Sequence, residues 1–473
     1  MVLSGTLDSA VEESGRSMLL ARALTLVLLL QLTQGAANPP GGPFLIPLLP
    51  YGLSNQVLAL KEALALAAVL NWTVVPIGFW PHSSELAAAG LAETGEGKPG
   101  RSECSQAPVG GQVMSFDLVF DRSALSPLVR VLSYEDARQR YGLPSGGRPD
   151  AVLSISPMSG LDHTLAKARA VGLVDASGMR VARNNGFKCD ARGLAWLASA
   201  AAGKRWVVLF AYRRVVPPAR SSYRSFANDT SPCARAYHQV SLRLSKSPVI
   251  ASAAQDWLDA ALSRVAPQQA PTGGGSGSTA LPYYVALHVR PYPDPCMDYF
   301  VGMTAFDPDA AKKVCRNPLL LANMVPRVRR HVAQHAAEGR AVGRASVPVF
   351  VMAHPRVRDV VRREVRRLWA ESVAEDHREG TEKGRGRQRD LMKAVAAPPL
   401  GPTLLFLDVA DMPAELRHQA AANSLLSMVE QEVCRTADVF LGTAASSISV
   451  MVAQERVAAN GERPGPQRVT ELL

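Results

Sequence analysis

Apolar and polar positions along this chain fall into blocks of changing period. Residues 44–49 form a short apolar run of strand length, and residues 55–70 then place apolar side chains on most faces of a helix-length segment. Residues 73–79 form a second short apolar run, so the three blocks together predict a βαβ unit. Two further strand-like runs, 152–155 and 206–210, stand among irregular links in the middle of the chain. Beyond residue 280 the alternation becomes regular. Strands are predicted at 283–289, 347–352, 403–407 and 438–441, and helices at 323–338, 355–369, 415–436 and 445–459. Short apolar strands alternating with helices predict an α/β fold with parallel, doubly wound sheets.

Three stretches interrupt the pattern. Residues 85–111 are rich in Gly, Ala and charge and read as a loop. Residues 267–280 contain Gly273-Gly274-Gly275-Ser276-Gly277-Ser278, a flexible linker or insertion and the best candidate for a domain boundary. Residues 371–389 are dense in charge and Gly and predict a disordered insertion, placed within about 371–400. At 473 residues the chain is long enough for two cores. The expected division is 38–266 and 281–473, with the segment before it set apart. There, Met18 to Arg22 leads into an almost wholly apolar stretch and then Thr33-Gln34-Gly35-Ala36-Ala37, the pattern of a secretory signal peptide. Cleavage near Ala37 is favoured over an uncleaved anchor because the apolar stretch is short, so a membrane is a partner only if the segment is retained.

The net charge of +11 raises the question of nucleic acid, but the excess is mostly Arg scattered through helical segments without interleaved aromatics. A solvated basic face is the better reading, and nucleic acid is not an expected partner. A positive potential would still help to recruit an anionic ligand. The cysteines are Cys104, Cys189, Cys233, Cys296, Cys315 and Cys434; their number suits an oxidising compartment, and no CxxC pair points to zinc. Their pairing is open, and Cys434 sits in an apolar helical pattern that suits a buried thiol. Asn71-Trp72-Thr73 and Asn228-Asp229-Thr230 are glycosylation sequons, of which Asn228 is the better candidate because Asn71 stands between core-like elements.

Candidate chemistry is concentrated in two islands. The first is Tyr284-Val285-Ala286-Leu287-His288-Val289-Arg290, continuing through Pro291 to Asp294 and Cys296. The second runs from Ala437-Asp438-Val439-Phe440-Leu441-Gly442-Thr443 through Ser446-Ser447 to Gln454-Glu455-Arg456. Each is a buried-type strand that stops at groups suited to phosphate: an Arg in one, a Gly-Thr turn and two Ser opening a helix in the other. A third, weaker signal is Gly52-Leu53-Ser54-Asn55-Gln56, where Ser54 or Asn55 is expected at a helix N-cap. Together they suggest a nucleotide-sugar enzyme.

These blocks resemble those of the GDP-fucose protein O-fucosyltransferases, most closely the branch that modifies EGF-like repeats. The family's Gly-Arg-Phe-Gly-Asn-Gln turn stands here as Gly52 to Gln56 preceded by Tyr51, its His-x-Arg-x-x-x-Asp as His288, Arg290 and Asp294, and its Ala-Asp-x-Phe-Ile-Gly-Asn block as Ala437 to Arg456. Arg130 to Asp136 is a weaker match between them. The resemblance implies a GT-B-like enzyme of two Rossmann-type domains facing a cleft. It implies inverting transfer of L-fucose from GDP-fucose to a Ser or Thr hydroxyl of a secretory-pathway protein, with an EGF-like domain one candidate, in the endoplasmic reticulum or Golgi lumen and without a metal. It makes Arg290, Asn55 and Asp294 the catalytic candidates, and His288, Arg290, Gly442, Thr443, Ser446, Ser447 and Ser54 the donor-binding ones.

The sequence also departs from the family. The family Arg falls at Gly52 and its second Gly at Ser54. A Thr-Asp that ends the next strand falls at Ala353-His354, the family Asn at Thr443 and its Phe at Ile448. Bland readings stand beside the sharp ones: His288 as a satisfied core histidine, Asn55 as a cap, Asp294 as a turn former, Glu455 and Arg456 as an ion pair holding the last helix, and Asp307-Pro308-Asp309 as a helix cap rather than a metal motif. Two classes of function fit: an active O-fucosyltransferase, or a non-catalytic relative that binds a nucleotide or glycan as a secretory-pathway scaffold.

Overall fold

The computed structural model describes residues 42–80, 113–143, 147–157, 160–170, 172–215, 231–265, 283–291, 294–302, 307–337, 347–383, 401–417, 425–444, 446–462 and 468–473. Two parallel sheets organise the chain. The first contains β1 (Phe44–Pro47), β2 (Thr73–Val74), β3 (Arg130–Val131), β4 (Ala151–Ser154), β5 (Val181–Arg183) and β6 (Trp206–Phe210), in the order β3-β2-β1-β6-β4-β5. The second contains β7 (Val285–Val289), β8 (Pro348–Ala353), β9 (Thr403–Leu405), β10 (Val439–Gly442) and β11 (Val469–Leu472), in the order β11-β10-β7-β8-β9. Neighbouring strands run parallel throughout. The fold is α/β with two doubly wound, Rossmann-type units, a GT-B-like arrangement.

Parallel strands covered on both faces read as continuous apolar runs, which is why 206–210 and 283–289 were legible. In the second sheet, successive residues supply different cores. Ala286, Phe350, Met352 and Phe440 face a core shared with the first sheet, whereas Val285, Leu287, Val351 and Leu441 face a second core. The principal helices are α1 (Leu53–Leu70), α2 (Pro232–Arg243), α3 (Pro248–Val265), α4 (Leu320–Ala337), α5 (Arg358–Lys383), α6 (Leu425–Thr436) and α7 (Ser447–Glu462). Two of them join the units. α3 follows the first sheet in sequence yet packs on α6, with Trp257 set edge-on to Phe350 at 5.2 Å between ring centroids. α7, the last helix, lies against α1 and α2. α1 is long and apolar enough to cross a membrane, but 72% of it is buried inside the protein.

Several expectations are corrected. α1 is capped by the extended Gly52, with no side-chain cap bond, so Ser54 and Asn55 occupy its first turn rather than its N-cap. The strand expected over 73–79 ends at Val74, and only an isolated bridge ties Phe79 to Met114. The charged segment expected to be disordered from 371 continues α5 as far as Lys383, since Arg, Glu and Lys are good helix formers; residues 384–400 lie outside the described residues. Strands β3, β5 and β11 were not expected. They have two to four residues with exposed or polar members such as Arg130, Arg183 and Glu471, too few apolar positions to leave a run. Helices α2 and α3 were also not expected.

Cys189 bonds Cys233 and Cys296 bonds Cys315, while Cys434 is a free, buried thiol. Asn71 is exposed in the left-handed conformation (φ 56°) that ends α1, although Trp72 and Thr73 behind it are buried. The leader over 1–37, Cys104, Asn228 and the linker over 267–280 lie outside the described residues.

Candidate anion-binding site at the strand ends

From β7 the chain moves to one side for β8 and β9, then returns to the other side for β10 and β11. The strand order therefore reverses between β7 and β10, the crevice in which open α/β sheets take their ligands. Both sequence islands end at this crevice. Leu287 pairs with Leu441, so Val289 falls level with Thr443 at the carboxyl edge.

Four hydrogen bonds stitch the two strand ends. The Arg290 N–H donates to Thr443 Oγ1 at 3.2 Å, and the Thr443 hydroxyl donates to the His288 carbonyl at 3.0 Å. The Thr443 N–H donates to Ser449 Oγ at 2.8 Å, and Ser449 Oγ also lies 2.6 Å from His288 Nδ1. Gly442 permits this close approach: a Cβ there would stand 2.7 Å from Ser449 Oγ and 2.8 Å from Leu472. His288 is only 3% exposed; burial, with the Arg290 charge beside it, holds its imidazole down to about 3, so it is neutral at any ordinary pH.

Three of the predicted donor residues, His288, Gly442 and Thr443, are thus buried, with His288 and Thr443 bonded to each other and to Ser449 and Gly442 making room for that contact. The His288 and Thr443 side chains fix the start of α7 against the end of β7. Ser446 is mostly buried at the start of α7: its N–H is taken by the Thr443 carbonyl at 2.9 Å, and its carbonyl accepts from Val450 at 3.1 Å. The Ala444 N–H is taken by the Leu473 carbonyl at 2.7 Å. At this edge stand the half-buried Arg290, the hydroxyls of Ser446 and Ser447, and the N–H groups of the first turn of α7, which have no partner within the helix. Asp294 opens the helix Asp294–Gly302, and its side chain lies outside the described residues. His354 caps the short helix after β8, its ring accepting from the Arg356 N–H at 3.3 Å. Asp307 likewise caps the helix Pro308–Val314, accepting from Asp309 and Ala310. No group of three or more His, Cys, Asp or Glu able to hold a metal occurs among the described residues.

The first sheet has a comparable reversal at β1, which is flanked by β2 and β6. Asn55 sits above it, half-buried, and its Oδ1 accepts from the Tyr212 hydroxyl at 2.7 Å. With the carbonyl oxygen engaged, the amide presents its NH₂ as a donor. Tyr51 (φ 61°) and Arg213 (φ 53°), just past β1 and β6, are two of the three non-glycine residues with positive φ among the described residues. Such strain collects at functional sites. The Tyr51 and Tyr212 rings pack at 5.3 Å, and burial pushes the Tyr212 hydroxyl up to about 12. Tyr212 carries no signal in the sequence, and Tyr51 stands there only as the residue before the Gly52–Gln56 turn.

The two sites are tied together through α1 and α7. Lys246 Nζ donates to both Glu455 oxygens at 3.0 and 3.2 Å, Lys61 Nζ lies 3.9 Å from the same carboxylate, and the Tyr237 hydroxyl donates to Gln454 at 3.1 Å. All three charged groups are buried. Burial pushes Lys61 down to about 8. It pushes Glu455 up, but the two lysines overcome this and hold its carboxyl below the ordinary value. Glu455 therefore pairs across the units rather than with Arg456. Arg456 instead donates to the carbonyls of Cys434, Arg435, Ala437, Asp438 and Val469 and to Thr470 Oγ1, which fixes α7 to β10 and β11. Lys61 and Glu455 each lie eight residues past the first residue of their helix, Leu53 and Ser447, so each helix begins about 12 Å from their contact.

Fold and site together define a two-unit α/β protein with a candidate anion-binding crevice at the switch point of its second sheet. No family model matches the chain, and no curated protein does. Among solved structures the chain is similar to POFUT1 in complex with GDP-fucose, at 13% identity and a TM-score of 0.49 over 92% of this chain and 99% of that one. It is also similar to the NodZ alpha-1,6-fucosyltransferase soaked with GDP-fucose, at 11% identity and a TM-score of 0.35 over 87% and 92%. The fucosyltransferase NodZ from Bradyrhizobium gives 11% identity and a TM-score of 0.33 over 87% and 93%. Likeness of this degree carries no conclusion about the chemistry of this chain, which rests on the contacts above.

Proposed function

We propose that this protein is an inverting glycosyltransferase that moves L-fucose from GDP-fucose to a Ser or Thr hydroxyl of a secretory-pathway protein, an EGF-like domain being one candidate acceptor. The observation that carries the reading is the stitched switch point, where the end of β7 with Arg290 and the start of α7 with Ser446 and Ser447 are bonded into one edge. The motifs that resemble the fucosyltransferases coincide with it.

In the reaction the acceptor oxygen attacks the anomeric carbon, the bond from that carbon to the β-phosphate oxygen breaks, and GDP leaves with the bonding pair. Negative charge grows on the β-phosphate, where Arg290, the serine hydroxyls and the α7 N-terminus would stabilise it without a metal. Asn55, its carbonyl held by Tyr212, would present an amide N–H to the sugar or its leaving oxygen from the other unit. Asp294 is the candidate base for the acceptor proton, by its place in the motif. His288 is not a candidate for proton transfer, since burial keeps it neutral and Ser449 occupies its Nδ1. Two disulfides favour an oxidising lumen, endoplasmic reticulum or Golgi.

A second reading, a non-catalytic nucleotide- or glycan-binding scaffold, draws on the absence of a guanidinium at Gly52, which is here a plain helix cap. Titration calorimetry with GDP and GDP-fucose, wild type beside Arg290→Ala, tests the donor site. Binding that the variant weakens by about 10- to 100-fold is expected, the worth of a charge-assisted hydrogen bond. Folded protein that binds neither ligand overturns the transferase reading. Binding without release of fucose to water or acceptor would leave the scaffold.

A further inference from the structure

The carboxyl edge of the first sheet is basic on one side of β1, where the sheet runs through β6 and β4 to β5. The strand ends and following loops on this side carry Arg183, Lys188, Arg192, Arg213 and Arg214. Two exposed acids stand among them, Asp162 and Asp190. Asp190 is taken up by the Gly193 N–H at 2.9 Å. Asp162 lies 3.9 Å from Arg183 with 92% of its side chain exposed, a pairing of little strength. Lys188, Arg192 and Arg213 are exposed and have no carboxylate partner among the described residues.

Arg213 is the strained member of this set. Its backbone is left-handed (φ 53°), a conformation in which glycine is relaxed and arginine is not. Its neighbours hold it there. Before it, the Ser156 hydroxyl donates to the Tyr212 carbonyl at 2.8 Å. After it, the Arg214 and Val215 N–H groups donate to the buried Glu62 carboxylate at 3.1 and 3.4 Å. The Arg214 guanidinium donates to the Asn185 carbonyl at 2.8 Å, which ties the loop after β6 to the loop after β5. Between these fixed points the Arg213 side chain lies over the Tyr212 ring, its guanidinium carbon 5.2 Å from the centroid. The hydroxyl of the same ring holds Asn55. One tyrosine therefore separates an exposed cation from the amide assigned to the reacting centre.

We propose that this rim docks the acceptor, and that the acceptor is an acidic segment whose carboxylate, a few residues from the reacting hydroxyl, pairs with Arg213; this deepens, and rests on, the transferase reading above. A guanidinium offers paired N–H donors that match a carboxylate, and it offers no acceptor. An extended peptide advances about 3.3 Å per residue, so a short segment reaches both Asn55 and Arg213. The other cations supply a field that draws acidic chain in and turns basic chain away. Glycine at position 213 would close the same loop without strain; what arginine adds there is its charge.

An array of threonine-centred peptides with Glu, Gln or Lys on either side of the threonine tests this, probed with the full chain beside Arg213→Gly and Arg213→Glu. The wild type is expected to hold the Glu peptides about 3- to 5-fold more tightly than the Gln peptides, the worth of a partly exposed ion pair, and to reject the Lys peptides. Added salt should shrink the preference. Arg213→Gly suits the left-handed backbone, so its melting temperature should be kept while the Glu preference falls to about one. Arg213→Glu should favour the Lys peptides. GDP affinity, set on the other sheet, should be the same in all three proteins. A wild type with no preference for Glu, or a folded Arg213→Gly that keeps it, overturns the proposal. So does binding of a heparin oligosaccharide in place of the peptides, which would make the rim a glycan site. Failure of the wild type to bind GDP is a separate result: it removes the transferase reading and, with it, the acceptor role of the rim.

Discussion

The two sheets end in different chemistry. The first closes its carboxyl edge with Tyr51, Tyr212 and Asn55, aromatic and amide groups on a backbone strained at Tyr51 and Arg213. The second closes its edge with Thr443, Ser446, Ser449 and Arg290, small hydroxyls and a cation on relaxed strands, covered by a helix N-terminus. The second edge gathers the hydroxyls and cation that the proposed reading assigns to the donor diphosphate. The first holds a single amide, Asn55, by the Tyr212 hydroxyl beside the Tyr51–Tyr212 ring pair. Under the proposed transferase reading, the donor would rest on one unit and the reacting centre would be completed from the other, a division this asymmetry would serve.

The comparison can be broken most severely at Gly442. Gly442→Ala forces a Cβ against Ser449 Oγ, so the turn must shift; a loss of about 1–3 kcal/mol in stability is expected, as for other overpacked sites. GDP binding should fall with it, measurable by denaturant titration and calorimetry on the same samples. Retained stability and affinity would mean that the stitching between β7 and β10 does not set the site.

The contact that holds the edges together offers a change of opposite sign. Lys61 is fully buried, its Nζ has no hydrogen-bond partner, and Lys246 already satisfies Glu455. Lys61→Met should therefore stabilise the protein by about 1–3 kcal/mol, as replacement of excess buried charge by an apolar side chain does. The pH dependence has a definite sign. Because the folded pKa is lowered from 10.5 to about 8, the unfolded chain binds the extra proton between those values, so wild-type stability gains from this group as pH rises through about 8 to 10.5. The gain should vanish in Lys61→Met, read as a difference in melting temperature between the two proteins at pH 7 and pH 10. Lys246→Met, which strips the carboxylate of its hydrogen-bonded partner, should destabilise instead.

The acid side separates the second edge from an ordinary surface histidine. His288 is held down to about 3, so the unfolded chain protonates it first and stability falls from this cause as pH drops from 6.5 toward 3. GDP affinity should therefore show no inflection near pH 6.5 that His288→Gln removes; an inflection that does depend on His288 would place its ring in contact with ligand.

The smallest expected effect belongs to the first edge. Tyr212→Phe leaves Asn55 Oδ1 without its donor at a cost of about 1 kcal/mol. Donor affinity should hardly change, whereas turnover of bound GDP-fucose should drop, because only the aim of the amide is lost. A fall in affinity with turnover kept would assign Tyr212 to donor binding instead.

Much of the second sheet was legible in the sequence because its strands are buried on both faces and read as unbroken apolar runs bounded by helices. The first sheet was less so: Arg130–Val131 and Val181–Arg183 form strands of two and three residues whose pairing, not their composition, makes them strands. The motif positions of Arg290, Ser446 and Ser447 were found from residue type and spacing. The roles of His288 and Thr443 were not, since whether a polar side chain faces a ligand or a neighbouring strand depends on what packs beside it.

The sequence by itself determined the α/β class, the alternation of the second unit and the two islands that bear on an anion, because short-range periodicity and local turn chemistry encode them. Only the tertiary structure decided that β10 lies beside β7, that Glu455 answers Lys246 and Lys61, and that Tyr212 holds Asn55. Those pairs are separated by some 154 to 394 residues in the chain. No local pattern specifies such partners; they are chosen by the burial of whole faces and by the need to satisfy every polar group enclosed between them.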